Sequence, residues 1–280
     1  MALVSGSRAF AQTGSGDPAR RALSFPTELV AGPRVPTGKY KHPAAITQLA
    51  NGELFLAWFG GDGEYAANTG VYGTRLAARH ASSVNTGAWS KPVLLARDPF
   101  RAVGNPVVWQ APPQGGNADL VWLFYVVRFG ETWSDGRIAA KVSTDGARTW
   151  SDASLLTLER GTLVRGKPIV LSDGRYLLPV YREAGEDREF VGEETASFCL
   201  FYDPATREWT RGGHIVSRLG NLQPAPAEVA PGRLIAFCRR GGGYGDRPDA
   251  WMVYAESSDA GRTWSAGHEL VNRFPNPNAA

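Results

Sequence analysis

Ser143-Thr144-Asp145-Gly146-Ala147-Arg148-Thr149-Trp150 and Ser257-Ser258-Asp259-Ala260-Gly261-Arg262-Thr263-Trp264 are two copies of one pattern. Each follows an alternating run (Gly136 to Val142, Asp249 to Glu256) and leads into serine and a second short apolar run, so each reads as a hairpin turn with its exit strand. The side chains suit that place. Asp145 and Asp259 can accept hydrogen bonds from the amides of their own turns, glycine supplies a positive φ, and Trp150 and Trp264 can cover the turn. Ser143, Asp145, Trp150, Ser257, Asp259, Gly261 and Trp264 are therefore read as structural. Ala147 stands where the second copy has Gly261, which leaves the geometry of the first turn open.

Working outward, the tryptophan recurs at Trp89, Trp150, Trp209 and Trp264, with weakened turns at Asn85 to Trp89 and Asp203 to Trp209. An X-Pro pair opens each repeat: His42-Pro43, Asn105-Pro106, Lys167-Pro168, Gln223-Pro224 and Asn276-Pro277. Second strands are expected at Leu54 to Phe59, Leu120 to Val127, Tyr176 to Tyr181 and Leu234 to Cys238. Third strands follow at Gly70 to Leu76, Arg137 to Val142, Ser197 to Tyr202 and Ala250 to Ala255. Four strands per repeat, at a period of roughly 55 to 60 residues, predict an all-β propeller of four-stranded antiparallel blades. A β-sandwich leaves the recurring tryptophan unexplained.

The totals agree. In 280 residues, 33 glycines, 19 prolines and nine tryptophans fit short strands and tight turns. The net charge of +3, without a Lys/Arg run, excludes an extended nucleic-acid surface and accommodates a small acidic ligand. No window approaches the roughly 20 apolar residues of a membrane span. No metal-ligand spacing or nucleotide loop occurs, so no cofactor is expected. Cys199 and Cys238 lie in apolar runs and read as buried free thiols. Residues 1–20 read either as a disordered N-terminus or as the remnant of an export signal, since Ala9-Phe10-Ala11 has the small-x-small form. The export reading implies a secreted or periplasmic protein; the other permits the cytoplasm.

The paired turns resemble the Asp-box of the sialidase (neuraminidase) superfamily. Lys41-His42-Pro43-Ala44-Ala45 and Ala57-Trp58-Phe59-Gly60-Gly61 are similar to the openings of bacterial BNR-repeat sialidase-like proteins. The resemblance covers Ala22 to Ala280 and implies a propeller over 21–280, with blades at about 41–100, 103–161, 164–220 and 221–275 and a fifth beginning at 276. Sialidase propellers have six blades, so the chain is expected to be a fragment whose end blades expose apolar faces. Ala22 to Val30 is expected to be a strand closing the ring.

In propellers the functional mouth lies at the inner strands and the loops between second and third strands. Lys41-His42, the loop Gly60 to Asn68, and the set Arg165, Lys167, Tyr181 to Glu183, Gln223 and Arg239-Arg240 with Gly241 to Gly245 map there. Cations converging from separate blades make a carboxylate receptor, because guanidinium grips carboxylate through two parallel hydrogen bonds. The resemblance implies more specific roles. The family's first arginine falls at Lys41 and its second at Arg239 or Arg240. Its first-blade acid falls on Glu64, with Asp62 as the alternative. The glutamate assisting its tyrosine nucleophile falls at Gln223, which cannot act as a base. Tyr65, Tyr181 and Tyr244 lie in mouth loops, where stacking on sugar or local packing is the commoner use of a tyrosine.

The resemblance thus implies an exo-α-sialidase-like glycoside hydrolase acting on a glycan that ends in an acidic sugar. Lys41, His42, Arg165, Lys167, Tyr181, Arg239 and Arg240 would bind, and Glu64, Asp62 and Gln223 would occupy the catalytic positions. A non-catalytic glycan-binding propeller, or a uronate-polysaccharide lyase or hydrolase using His42 as proton shuttle, are the alternatives.

Overall fold

Strands rich in valine and aromatics, punctuated by glycine turns, pair with their sequence neighbours throughout. A computed structural model of the chain describes residues 30, 34–78, 89–113, 115–188, 190–243 and 250–276. The strand expected before Val30, the weakened turn before Trp89, Tyr244 and the residues after Asn276 lie outside this set.

The first blade is β1 (Tyr40–Gln48), β2 (Leu54–Gly61), β3 (Gly70–Leu76) and β4 (Val93–Arg97), paired in that order. The second is β5 (Val103–Gln110), β6 (Val121–Arg128), β7 (Gly136–Ser143) and β8 (Ser154–Leu155). In the third, β9 (Thr162–Val164) and β10 (Ile169–Val170) share the inner position beside β11 (Tyr176–Arg182), followed by β13 (Ala196–Asp203) and β14 (Glu208–Arg211). The fourth is β15 (Asn221–Ala230), β16 (Arg233–Arg240), β18 (Val253–Ser257) and β19 (His268–Glu269). A small ribbon joins β12 (Phe190–Val191) to β17 (Gly242–Gly243). Its third strand apart, which begins at Val253 instead of Ala250, the fourth blade follows the expected pattern.

The first four X-Pro pairs do not precede the inner strands; they interrupt them. Register shifts fall between His42 and Ala44, between Gly104 and Val107, and between Leu222 and Ala225. In the third blade the strand breaks between Val164 and Ile169. Proline has no N–H to give the ladder, so its place in a strand is a bulge. Asn105 (φ 48°) and Gln223 (φ 53°) are left-handed as a result. The bulges re-aim one side chain per blade, with consequences for the site.

Trp150, Trp209 and Trp264 pack across the seams between blades. Trp150 of blade 2 lies 6.2 Å from Phe55 of blade 1, and Trp209 of blade 3 lies 5.9 Å from Trp122 and 6.2 Å from Phe124 of blade 2. Trp264 of blade 4 packs against Leu171, Leu177, Cys199 and Phe201 of blade 3. Phe55, Phe59, Phe124 and Phe198 are fully buried between sheets, each contributing about 1.5–3 kcal/mol of hydrophobic stabilisation. Ile46 and Leu94 of blade 1, and Val229 and Phe274 beside blade 4, stay exposed.

Asp145 Oδ1 accepts from Ser143 Oγ (2.7 Å) and from the Arg148 and Thr149 amides (3.0 and 2.9 Å), and its Oδ2 from Thr149 Oγ1 (2.6 Å). Asp259 is held likewise by Ser257 Oγ (2.8 Å), the Thr263 amide (2.9 Å) and Thr263 Oγ1 (2.6 Å). Ala147 does not alter the turn. It adopts φ 61° where Gly261 has 81°, and the preceding left-handed position is Gly146 (69°) in one copy and Ala260 (58°) in the other. Cys199 and Cys238 are buried and unbridged, and burial pushes the Cys238 thiol up to about 12. Among the described residues no helix is long and apolar enough to cross a membrane.

Candidate functional site

A cavity of about 720 Å³ lies where the inner strands meet. The first, second and fourth blades lend it the residue at the bulge, His42, Asn105 and Gln223, and the third lends Arg165 and Gly166 from the break between β9 and β10. Tyr181 near the end of β11, Glu183 just beyond it, and Arg239 near the end of β16 line it too. Glu64 and Tyr65 reach in from the loop after β2, Trp133 from the turn before β7, and Arg188 from the loop before β12.

Glu64 is held at both oxygens. Tyr40 Oη donates to Oε2 at 2.8 Å and Trp133 Nε1 to Oε1 at 2.9 Å. The loop carrying Glu64 is clamped in turn. The Tyr65 ring lies between the guanidinium groups of Arg128 and Arg188, each 4.8 Å from its centroid, and Arg128 Nη2 donates to the Tyr65 carbonyl at 2.7 Å. Tyr65 Oη donates to the Arg188 carbonyl at 3.1 Å, and Arg188 pairs with Glu131 at 2.7 Å.

Glu183 is fixed by its backbone, which donates to the Gly161 carbonyl at 2.8 Å. A Cβ on Gly161 would stand 2.3 Å from the Glu183 carbonyl, so only glycine permits this approach. Burial pushes the Glu183 carboxyl up to about 7; Arg239 pulls it down and Glu64 adds to the rise. Burial also lowers the His42 imidazole, opposed by Glu64 and reinforced by Arg165. It lowers the Arg165 guanidinium as well, with Tyr181 opposing, though an arginine there stays charged. The cavity thus sets three arginines, and an imidazole whose charged form burial disfavours, beside two carboxyls in different surroundings. Among the described residues no group of three or more His, Cys, Asp or Glu could hold a metal ion.

The BNR repeat-like domain matches residues 52–280, most of the chain and all of the blades except β1. The chain belongs to this family. Solved structures similar to this BNR repeat-like chain include the NanB sialidase from Streptococcus pneumoniae (TM-score 0.67, 11% identity, covering 92% of this chain and 56% of that one). The Hadza microbial sialidase Hz136 matches at TM-score 0.61 and 15% identity, over 85% and 48% of the two chains. The intramolecular trans-sialidase from Ruminococcus gnavus matches at TM-score 0.61 and 12% identity, over 88% and 73%. At these identities the likeness establishes the fold, a sialidase-type β-propeller. The chain spans about half the length of the first two sialidases. No curated protein sequence matches it.

Against this BNR repeat-like frame the expected site residues divide. His42, Glu64, Arg165, Tyr181, Gln223 and Arg239 share the cavity; Lys41, Asp62, Lys167 and Arg240 do not line it. The reason is alternation along a strand. Lys41 turns from the face of its neighbour His42, and its Nζ donates to the Gly38 carbonyl at 2.5 Å. Arg240 turns from the face of Arg239, pairs with Glu269 at 3.2 Å and lines a separate cavity with Ser217 and Trp251. Lys167 points to solvent. Asp62 accepts from Asn68 Nδ2 at 2.9 Å within its own loop. Tyr40, Asn105, Trp133 and Arg188 escaped sequence reasoning as site residues. Asn105 had a signal, its place in the X-Pro series; Trp133 had none.

Proposed function

We propose that this chain supplies the carboxylate-binding and acid–base part of a glycoside hydrolase site that releases an acidic sugar from the end of a glycan. The observation that carries the reading is Arg165 and Arg239, from different blades, lining one cavity with the carboxyls Glu64 and Glu183. Desolvated guanidinium groups at a ring centre select an anion, and a sugar carboxylate matches their paired donors. Tyr181 and Trp133 line the cavity with aromatic surface of the kind that sugars pack against. Glu64, held by two donors, is one carboxyl available for acid–base work at the reacting bond.

The test is release of the fluorophore from an aryl sialoside by the full-length protein. Turnover that is lost in Glu64→Gln supports the reading, and no turnover across the acidic to neutral range overturns it. Gln223 favours a second reading, a glycan receptor without chemistry, since an amide in the cavity can bind but cannot serve as a base. Binding of acidic glycans with no turnover selects it.

A further inference from the structure

The geometry points to Glu183 as a catalytic residue that gives its proton to the departing glycosidic oxygen, leaving Glu64 to take the proton of the attacking water. The inference rests on the proposed hydrolase function and divides the acid and base work within it.

The other candidates in the cavity are ill suited to donate. Glu64 accepts a hydrogen bond on each oxygen, so both are turned toward fixed donors and act as acceptors. Gln223 has no acidic proton, and Asp62 is tied to Asn68 outside the cavity. His42, its imidazole lowered by burial, is short of a proton near neutrality. Glu183 differs in each respect. It follows β11 directly, and its backbone is pinned to Gly161, so its position does not depend on a mobile loop. It lines the cavity together with Arg239 and Glu64, and it also lines a second, smaller cavity with Arg160, Arg182, Glu186 and Glu194.

Burial that holds the carboxyl up to about 7 keeps it protonated where most carboxyls are ionised. Two carboxyls held in contrasting environments are the physical pattern of an acid and base pair. The step balances. The Glu183 proton passes to the glycosidic oxygen as the C–O bond to the leaving alcohol breaks, its electron pair remaining on that oxygen. A water lone pair forms the new C–O bond at the sugar carbon, and that water's proton passes to Glu64. The sugar and alcohol depart, and a proton returned from Glu64 to Glu183 through solvent restores both groups.

The experiment compares wild type, Glu183→Gln and Glu183→Asp in the full-length protein, on an aryl glycoside of the acidic sugar and on an alkyl glycoside of the same sugar. A phenolate leaves without help; an alkoxide needs the proton. Glu183→Gln is expected to lower kcat on the alkyl glycoside by about 10²–10⁴-fold, with KM little changed and with a much smaller loss on the aryl glycoside. The alkaline limb of the wild-type pH profile, near the Glu183 value, disappears in Glu183→Gln and persists in Glu183→Asp, whose acid is retained. Equal losses on the two substrates, or an alkaline limb that survives in Glu183→Gln, overturn the inference alone. Failure of the wild type to turn over either substrate overturns the hydrolase function and the inference with it.

Discussion

The indole N–H of Trp133 in blade 2 donates to the Glu64 carboxylate of blade 1 at 2.9 Å. The Glu64 carboxyl is therefore positioned by a neighbouring blade as well as by its own loop, and Tyr40 supplies the second donor from β1. Trp133→Phe keeps most of the ring and removes the donor. A hydrogen bond to a charged group is worth about 1.5–3 kcal/mol. The variant should lower kcat by about tenfold or more in steady-state kinetics, with the thermal midpoint little moved.

Arg239 and Arg240 adjoin in sequence and should behave oppositely. Arg239→Ala, like Arg165→Ala, is expected to weaken binding of the acidic sugar by about 10–100-fold in calorimetry, from the loss of charge-assisted hydrogen bonds. The neutral amide of the same sugar should bind the variants and the wild type alike. Arg240→Ala should leave affinity unchanged and lower the midpoint of urea unfolding, because it removes a buried side chain and one of the two arginines, Arg218 and Arg240, that pair with Glu269.

Glu183 also links stability to pH. Its carboxyl is raised from 4.5 to about 7 by folding, so between those values the folded protein holds a proton that the unfolded chain releases. Stability from this group is fully present below the unfolded value and falls as pH rises toward about 7, then levels off. Denaturant unfolding measured across this window should show the decline in wild type and a flatter profile in Glu183→Gln.

The Asp-box carboxylates carry the opposite sign. Hydrogen bonds from Thr149 hold Asp145 far below the usual carboxylate range, and those from Thr263 lower Asp259. Their contribution is present above the unfolded value and is lost as pH falls through the folded one. Asp145→Asn and Asp259→Asn should melt several degrees below wild type at neutral pH, with the gap closing in acid.

Trp209 tests the seams. It sits edge-on to Trp122 and Phe124 of the preceding blade, and Trp209→Ala should destabilise by about 3 kcal/mol through the void it leaves. Chemical denaturation monitored by fluorescence would measure it.

The repeat was legible because its signals are local. An aspartate that bonds its own turn, a proline that breaks a ladder and a run of alternating apolar residues each act within a few positions, so blade number and strand order follow from reading along the chain. Glu64, Arg165 and Arg239, which the sequence placed at the mouth from strand ends and loops, line one cavity in the structure. Lys41 and Arg240 lie off the cavity because adjacent residues of a strand face opposite ways, and which of the two faces the centre is not written in residue type.

By itself the sequence determined the architecture, a propeller of four-stranded blades stitched by Asp-boxes and tryptophans, since those motifs carry their own short-range chemistry. The tertiary structure alone decided which carboxyls meet. Trp133 and Glu64 are 69 residues apart, and Glu183 comes from a third blade. A proton-holding carboxyl requires burial and neighbouring charges, and these exist only once separate blades close around a shared cavity.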